Sequence, residues 1–127
     1  MMLGLFKRAP KLEAVFRPTV AVARELTREV EVAGELVLRN LGRAAELTDL
    51  ELVLIGGGTR RIDLAVPEAW RGRLQLAAGG ELTAAVAWKL TLAAPMRAPA
   101  AEIQVNTTAG GRHQPLAMTP AFPLANE

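Results

Sequence analysis

Hydrophobic and polar side chains alternate with a period of two residues along most of this chain. The run 81–92 shows the pattern most clearly. Large apolar side chains such as Leu82 and Trp88 share one of its faces, and small or polar residues occupy the other. Successive side chains of a β-strand point to opposite sides of the sheet, so this period predicts strands with one buried face. The predicted strands are 12–16 with a continuation at 20–22, 29–39, 49–54, 62–66, 74–76, 81–92, 103–107 and 116–118.

Glycine and proline separate these runs. Three consecutive glycines, 56–58, follow one predicted strand and indicate a hairpin turn, because glycine readily adopts the positive φ that tight turns need. Short strands at a spacing of about ten residues predict an all-β fold, an immunoglobulin-like antiparallel β-sandwich of about seven to nine strands. We expect a short N-terminal segment at 1–10, a single sandwich domain at 11–120 and a C-terminal tail at 121–127.

Two details of strand arrangement follow from the same pattern. The run 81–92 is the longest, which predicts that it is the central strand of its sheet. If 61–66 and 71–76 form a hairpin, their buried faces match when Leu64 pairs with Leu74, because a slip of one residue would expose every leucine.

The order of these segments resembles one half of the arrestin-like fold. The glycine-containing run 32–38 is followed by alternating leucines at 47–55, and the long run 82–92 ends in an Ala-Pro step before 103–105. In this respect the chain is similar to bacterial sporulation-control proteins of the Spo-zero-M type. Arrestin-like proteins carry two sandwiches, whereas 127 residues accommodate one. The resemblance implies a single-sandwich version that acts as a cytoplasmic scaffold or regulator through protein contacts, without enzymatic activity.

The composition disfavours catalysis independently of that resemblance. The chain contains no Ser, Tyr or Cys, which are the side chains that most often act as covalent nucleophiles. The one histidine, His113, lies in a predicted glycine-containing loop without partners at metal-ligand spacing, and we expect it to be solvated. The sequence therefore predicts a non-enzymatic protein with no cofactor and no metal.

Charge and hydropathy limit the classes of partner. Fifteen basic and thirteen acidic residues give a formal net charge of +2, and the arginines are spread along the chain rather than clustered. This distribution disfavours nucleic-acid binding. No run approaches the roughly 20 apolar residues of a membrane helix, and 1–6 is too short for a signal peptide. We expect a cytoplasmic location, and the Ala, Leu and Arg content is typical of a GC-rich bacterial genome.

Three apolar residues point away from the predicted core. Val37, Val53 and Ile55 alternate with the leucines of their own strands, so they lie on faces that a sandwich normally exposes to water. Either a partner covers them or the apolar side chains of 3–6 do. The first alternative predicts an apolar interaction patch.

Two further features suggest an interaction surface. The segment 101–107, which includes Ile103 and Val105, contains no Lys, Arg or Pro and is typical of an unguarded sheet edge. Trp70 lies in a predicted turn, where an exposed aromatic side chain often anchors an interface. A Trp at such a position can also fold back over the core.

Two hypotheses of function follow. In the first, the protein is an interaction or regulatory scaffold domain that binds another protein, or itself as a homodimer, through a sheet edge and the apolar patch. In the second, it is an accessory domain that binds an anionic ligand or nucleic acid through the arginines of the predicted hairpin. Those arginines are Arg60, Arg61, Arg71 and Arg73.

Overall fold

The computed structural model describes residues 10–57, 59–109 and 112–127, and most of them lie in β-strands. A 3-10 turn at Glu68–Trp70 interrupts the strands. The strands are β1 (Leu12–Arg24), β2 (Glu29–Asn40), β3 (Ala45–Thr48), β4 (Leu50–Gly56), β5 (Arg60–Leu64), β6 (Arg73–Leu76), β7 (Glu81–Thr91), β8 (Ala100–Ala109), β9 (Arg112–Met118), β10 (Phe122–Pro123) and β11 (Ala125–Asn126).

Two main sheets enclose one hydrophobic core. The first has the strand order β11-β1-β2-β7, and the second has the order β10-β8-β4-β5 with β9 paired to β8. β3 and β6 form a separate two-stranded sheet. Leu36 and Leu38 of the first sheet and Leu54 and Ile103 of the second are fully buried in the shared core. The all-β sandwich predicted from the alternation is confirmed. The segment 121–127, expected to be a tail, instead adds β10 and β11 to the two main sheets and buries Phe122 and Leu124 in the core.

Trp88 lies on the core face of β7, as its position in the alternating run predicts. Its side chain is buried, and its indole Nε1 donates a hydrogen bond of 2.8 Å to the backbone oxygen of Ala65. Ala65 immediately follows β5 in the opposite sheet. The hydrogen bond therefore ties β7 to the facing sheet.

The position of β7 within its sheet differs from the prediction. In the described part of the chain β7 pairs with β2 alone and ends the sheet, while β2 lies between β1 and β7. The longest strand is β1, with 13 residues against 11 in β7. The prediction of a central strand was wrong because alternation reports how many faces are buried, not how many neighbouring strands are present.

The predicted pairing of Leu64 with Leu74 is also wrong. Leu64 pairs with Leu52 in the β4–β5 hairpin, and Leu74 pairs with Leu47 in the small β3–β6 sheet. The chain leaves one sheet for the other across 65–72, where the side chain of Trp70 is buried in the core. The hairpin predicted at the glycine run is confirmed by the antiparallel pairing of β4 with β5, although Gly58 lies outside the described residues.

Gly34 is required where β1 approaches β2. The register between the strands shifts between Pro18 and Val20, and a Cβ added to Gly34 would lie 2.2 Å from the backbone oxygen of Arg17. We predict that Gly34→Ala lowers the free energy of unfolding by about 1–3 kcal/mol, because backbone must move to relieve the overlap. Urea unfolding checks this. Gly42→Ala is the control, since its added methyl meets nothing closer than 3.4 Å, and equal losses in both variants would contradict the prediction.

Candidate functional site: the free edge of β7

The three outward-facing apolar residues are buried and do not form one patch. Val37 lies on β2 in the first sheet, whereas Val53 and Ile55 lie on β4 in the second. Their exposed fractions are 4%, 5% and 7%. The prediction of one exposed apolar interaction patch is therefore wrong, and the alternative, in which Leu3, Leu5 and Phe6 cover these residues, concerns a segment outside the described residues.

A polar bridge lies beside two of them. Arg61 lies beside Ile55 on β5, and Gln104 lies beside Val53 on β8. The Arg61 Nη2 donates a hydrogen bond of 2.7 Å to the Gln104 Oε1. This bond joins the strands on either side of β4, on the face where Val53 and Ile55 lie.

The predicted open edge at 101–107 is an interior strand. β8 pairs with β4 on one side and with β9 and β10 on the other. Ile103 and Val105 are fully buried. The prediction was wrong because the absence of Lys, Arg and Pro from this segment reflects its position between neighbouring strands rather than an unguarded edge.

Trp70 does not form an exposed anchor. Its side chain is 1% exposed and belongs to the hydrophobic core. The interface hypothesis for this residue is wrong, and the alternative, in which the ring folds back over the core, is confirmed.

The four arginines of the second hypothesis each contact a different part of the chain. Arg60 and Arg61 lie on β5, and Arg73 lies on β6 in another sheet, so the predicted hairpin that would have aligned them does not form. Arg60 donates to the backbone oxygens of Ala94 and Pro95, and Arg61 donates to the amide oxygen of Gln104. Arg71 donates to the backbone oxygen of Val66, and Arg73 pairs with the carboxylate of Glu46. The structural basis predicted for a shared anion site, one hairpin carrying all four side chains, is therefore absent, and anion binding through them stays a prediction.

Among the strands that end a sheet in the described part of the chain, β7 is the longest. β5 ends its sheet with five residues, three of them charged, and β9 contains Pro115. Charges and proline are the usual devices that protect a sheet edge from unwanted strand pairing. In β7 the central run 82–88 contains neither.

Two backbone hydrogen bonds reveal which groups of β7 face the free edge. Asn40 N donates to Gly80 O (2.9 Å) beyond one end of the strand, and Leu92 N donates to Arg28 O (2.8 Å) beyond the other. In an antiparallel pair, alternate residues bond to the neighbour and the others point away from it. Even-numbered residues of β7 therefore bond to β2. The odd-numbered residues from 81 to 89 direct their N–H and C=O groups to the free edge.

The side chains along this edge leave room for another strand. Thr83, Ala85 and Ala87 are small and exposed on the outer face. On the core face, Leu82 and Ala84 are half-buried, so a neighbouring strand would remove further apolar surface from water. Backbone and side chains together make the edge of β7 suitable for strand addition.

Opposite charges mark the two ends of the edge. Arg39 Nε lies 2.6 Å from Glu81 Oε2 at one end, and Lys89 Nζ lies 3.8 Å from Glu29 Oε2 at the other. The hydrogen bond to Glu81 raises the pKa of the Arg39 guanidinium above its ordinary value. Because the pKa of Arg39 is raised in the folded state, the ion pair with Glu81 stabilises the fold at ordinary pH, and this contribution is lost only in strong alkali. Arg39 therefore remains charged at every pH used for folding measurements.

A shallow cavity of about 270 Å³ lies near the C-terminal strand β11. Arg97 and Glu25 form an ion pair at its wall, and the Asn126 amide donates to the backbone oxygens of Ala98 and Leu124. These polar groups already have protein partners, so the cavity presents no evident ligand-binding chemistry. Its lining residues are Ala23, Glu25, Met96, Arg97, Asn126 and Glu127.

The remaining predictions concern metal binding, His113 and membrane-spanning segments. Within the described ranges, no three histidine or carboxylate side chains come together as a metal ion would require. His113 lies in β9 rather than in a loop, and its side chain lies outside the described residues. No helix in the part of the chain that the structure describes is long and apolar enough to cross a membrane.

The sequence contained a signal for the β7 edge that alternation alone does not reveal. Glu81 and Lys89 lie four residues on either side of Ala85. Such symmetry has no meaning for an interior strand, whose neighbours on both sides belong to the same chain. It becomes informative only once β7 is known to end its sheet.

Solved structures share this fold over nearly the whole chain. The structural genomics target SoR45 matches with a TM-score of 0.55 at 11% identity. The match covers 94% of this chain and 90% of the SoR45 chain. A Bordetella pertussis protein provisionally assigned as ApaA matches with a TM-score of 0.51 at 14% identity. The match covers 94% of this chain and 96% of the Bordetella chain. At these identities the likeness shows the fold alone.

Comparison of the sequence with protein-family models and with curated proteins finds no match. Neither similar structure is described as arrestin-like. The resemblance to that family therefore stays a prediction.

Proposed function

We propose that this protein is a non-enzymatic interaction module that binds a protein partner by adding a strand to the free edge of β7. The observation that carries the proposal is the row of edge-facing N–H and C=O groups from 81 to 89, on a strand without central charge or proline. In strand addition, main-chain hydrogen bonds supply affinity, and the adjacent side chains supply specificity.

The immunoglobulin-like classification and the cytoplasmic scaffold role belong to this proposal. The edge strands themselves support the interaction role, because the shorter β5 and β9 carry charge or proline while the central run of β7 carries neither. Proteins normally protect long edges. An edge left unprotected over 82–88 is therefore best explained by a partner that occupies it.

Ala85→Pro tests the proposal directly. Ala85 N–H faces the free edge, so proline removes an edge donor without removing a hydrogen bond to β2, and edge strands tolerate proline. We expect the tagged variant to lose, by at least roughly tenfold, the protein captured by the wild type from a nuclease-treated host lysate. Circular dichroism establishes that the variant is folded.

Ala85→Val is the matched control, since it alters the same side chain but keeps the N–H. We expect it to capture the partner as the wild type does. Capture that is unchanged in folded Ala85→Pro would overturn strand addition at β7, whatever protein is bound.

A further inference from the structure

We infer that the strand added to β7 is β7 of a second copy of this chain, antiparallel to the first and related to it by a twofold axis at Ala85. The inference rests on the proposed function and names the partner. It joins two first sheets edge to edge into one continuous sheet.

Backbone geometry permits only some registers. The edge-facing groups belong to odd-numbered residues, so each must lie opposite an odd-numbered residue of the second copy, and this condition also keeps the core faces of both sheets on one side. A twofold axis at Ala85 places Ala85 opposite itself, Thr83 opposite Ala87 and Glu81 opposite Lys89. Each of these pairs exchanges two backbone hydrogen bonds.

Charge selects this register from its neighbours. With the axis at Ala85, symmetry creates two Glu81–Lys89 pairs, one at each end of the junction. Shifting the second strand by two residues, the smallest shift that keeps the faces matched, puts Glu81 opposite Ala87 or Thr91 instead. Both shifts lose both charge pairs. The axis at Ala85 is therefore favoured electrostatically.

The charge pairs would extend contacts already present within each chain. Arg39 contacts Glu81, and Lys89 contacts Glu29. Across the junction the order becomes Arg39, Glu81, then Lys89 and Glu29 of the second copy. The signs alternate throughout, so neither new contact brings like charges together.

The side chains between the charges also fit a second copy. On the outer face only Thr83, Ala85 and Ala87 meet, and all three are small. On the core face Leu82 lies opposite Trp88 of the second copy, which extends the apolar surface across the junction. The half-buried Leu82 would thereby lose exposed area, which favours association.

Charge reversal provides the test. Glu81→Lys alone places lysines opposite each other at both ends, and Lys89→Glu alone does the same with glutamates. We expect each variant to dimerise roughly 10- to 100-fold more weakly than the wild type in sedimentation equilibrium, because two attractive pairs become repulsive. An equimolar mixture of the two variants restores both pairs, so we expect it to recover a heterodimer.

The double variant Glu81→Lys/Lys89→Glu supplies the matched control. It carries both reversals on each chain, and its homodimer regains opposite charges at both ends. Dimerisation of the double variant near the wild-type affinity supports the register. If the double variant is as weak as the single variants, the register is overturned.

Two outcomes separate this inference from the proposed function. A wild type that remains monomeric at about 1 mM, yet captures a partner that Ala85→Pro loses, overturns self-pairing and leaves strand addition in place. A wild-type dimer that resists both single reversals and Ala85→Pro uses another surface, which overturns self-pairing. If folded Ala85→Pro also captures the partner from the lysate as well as the wild type does, strand addition at β7 is overturned too.

Discussion

Replacement of Trp70 by alanine is expected to lower the free energy of unfolding by about 3–5 kcal/mol. The ring is 1% exposed and belongs to the core, and it lies where the chain crosses from β5 to β6. Removing it leaves a cavity that the surrounding strands can fill only partly. A domain of this size is typically stable by about 5–15 kcal/mol, so the loss is a large part of the total.

Urea unfolding followed by circular dichroism measures this effect. Leu26→Ala is the control, because Leu26 is another large apolar residue but is 97% exposed in the β1–β2 turn. We expect that control to change stability by less than about 0.5 kcal/mol. A Trp70→Ala variant as stable as Leu26→Ala would show that the ring contributes little to the core.

Asn40→Ala is expected to destabilise the protein by about 2–4 kcal/mol. The fully buried Asn40 amide donates to the backbone oxygens of Arg43 (2.7 Å), Leu76 (3.1 Å) and Ala77 (3.2 Å). Its Oδ1 accepts from Gly42 N at 2.9 Å. Alanine leaves these groups without their partner inside the protein, and a buried unsatisfied group costs more than a hydrogen bond contributes.

The exposed Asn126 provides a matched comparison in urea unfolding. Its amide also donates to two backbone oxygens, those of Ala98 and Leu124, but Asn126 itself is exposed to water. We expect Asn126→Ala to cost less than about 1 kcal/mol. Equal losses at Asn40 and Asn126 would mean that burial of the first amide is not what matters.

Asn40→Asp adds a pH dependence with a defined sign. A carboxylate facing three backbone oxygens is disfavoured in the folded state, so burial and repulsion should raise the pKa of the introduced group above its unfolded value. The folded state then binds the proton more tightly, and stability falls as pH rises through that interval. Relative to the wild type at each pH, the variant should be least destabilised in acid and most destabilised at neutral pH.

The edges of this sandwich differ in a way that bears on the interaction proposal. Arg60, Arg61 and Asp63 place charge along β5, and Pro115 interrupts β9. The longer β7 keeps its charges at its two ends. This contrast between the edges supports the proposed strand addition at β7.

Several elements could be predicted from the sequence because they depend on local pattern. The alternation in 29–39 corresponds to β2, and the glycine run 56–58 falls at the β4–β5 hairpin. Trp88 was placed on the core face by the same period. Burial of one face was enough to predict β2 and the position of Trp88. The conformational freedom of glycine was enough to predict the hairpin.

The candidate site could not be predicted in the same way. Ile103 and Val105 looked like an open edge, yet they lie in an interior strand. Val53 and Ile55 looked exposed, yet both are buried in the folded chain. The first error concerns side-by-side neighbours, about which the period of two residues carries no information.

The sequence by itself predicted the longer strands and the core faces of β2 and β7, because these depend on side-chain type and spacing along the chain. Only the tertiary structure decided which strand ends a sheet, since that depends on hydrogen bonds between segments distant in sequence. Glu81 and Lys89 are ordinary surface charges in the sequence. They become a candidate pairing code only because β7 has one neighbour in the described part of the chain and an edge open to a second.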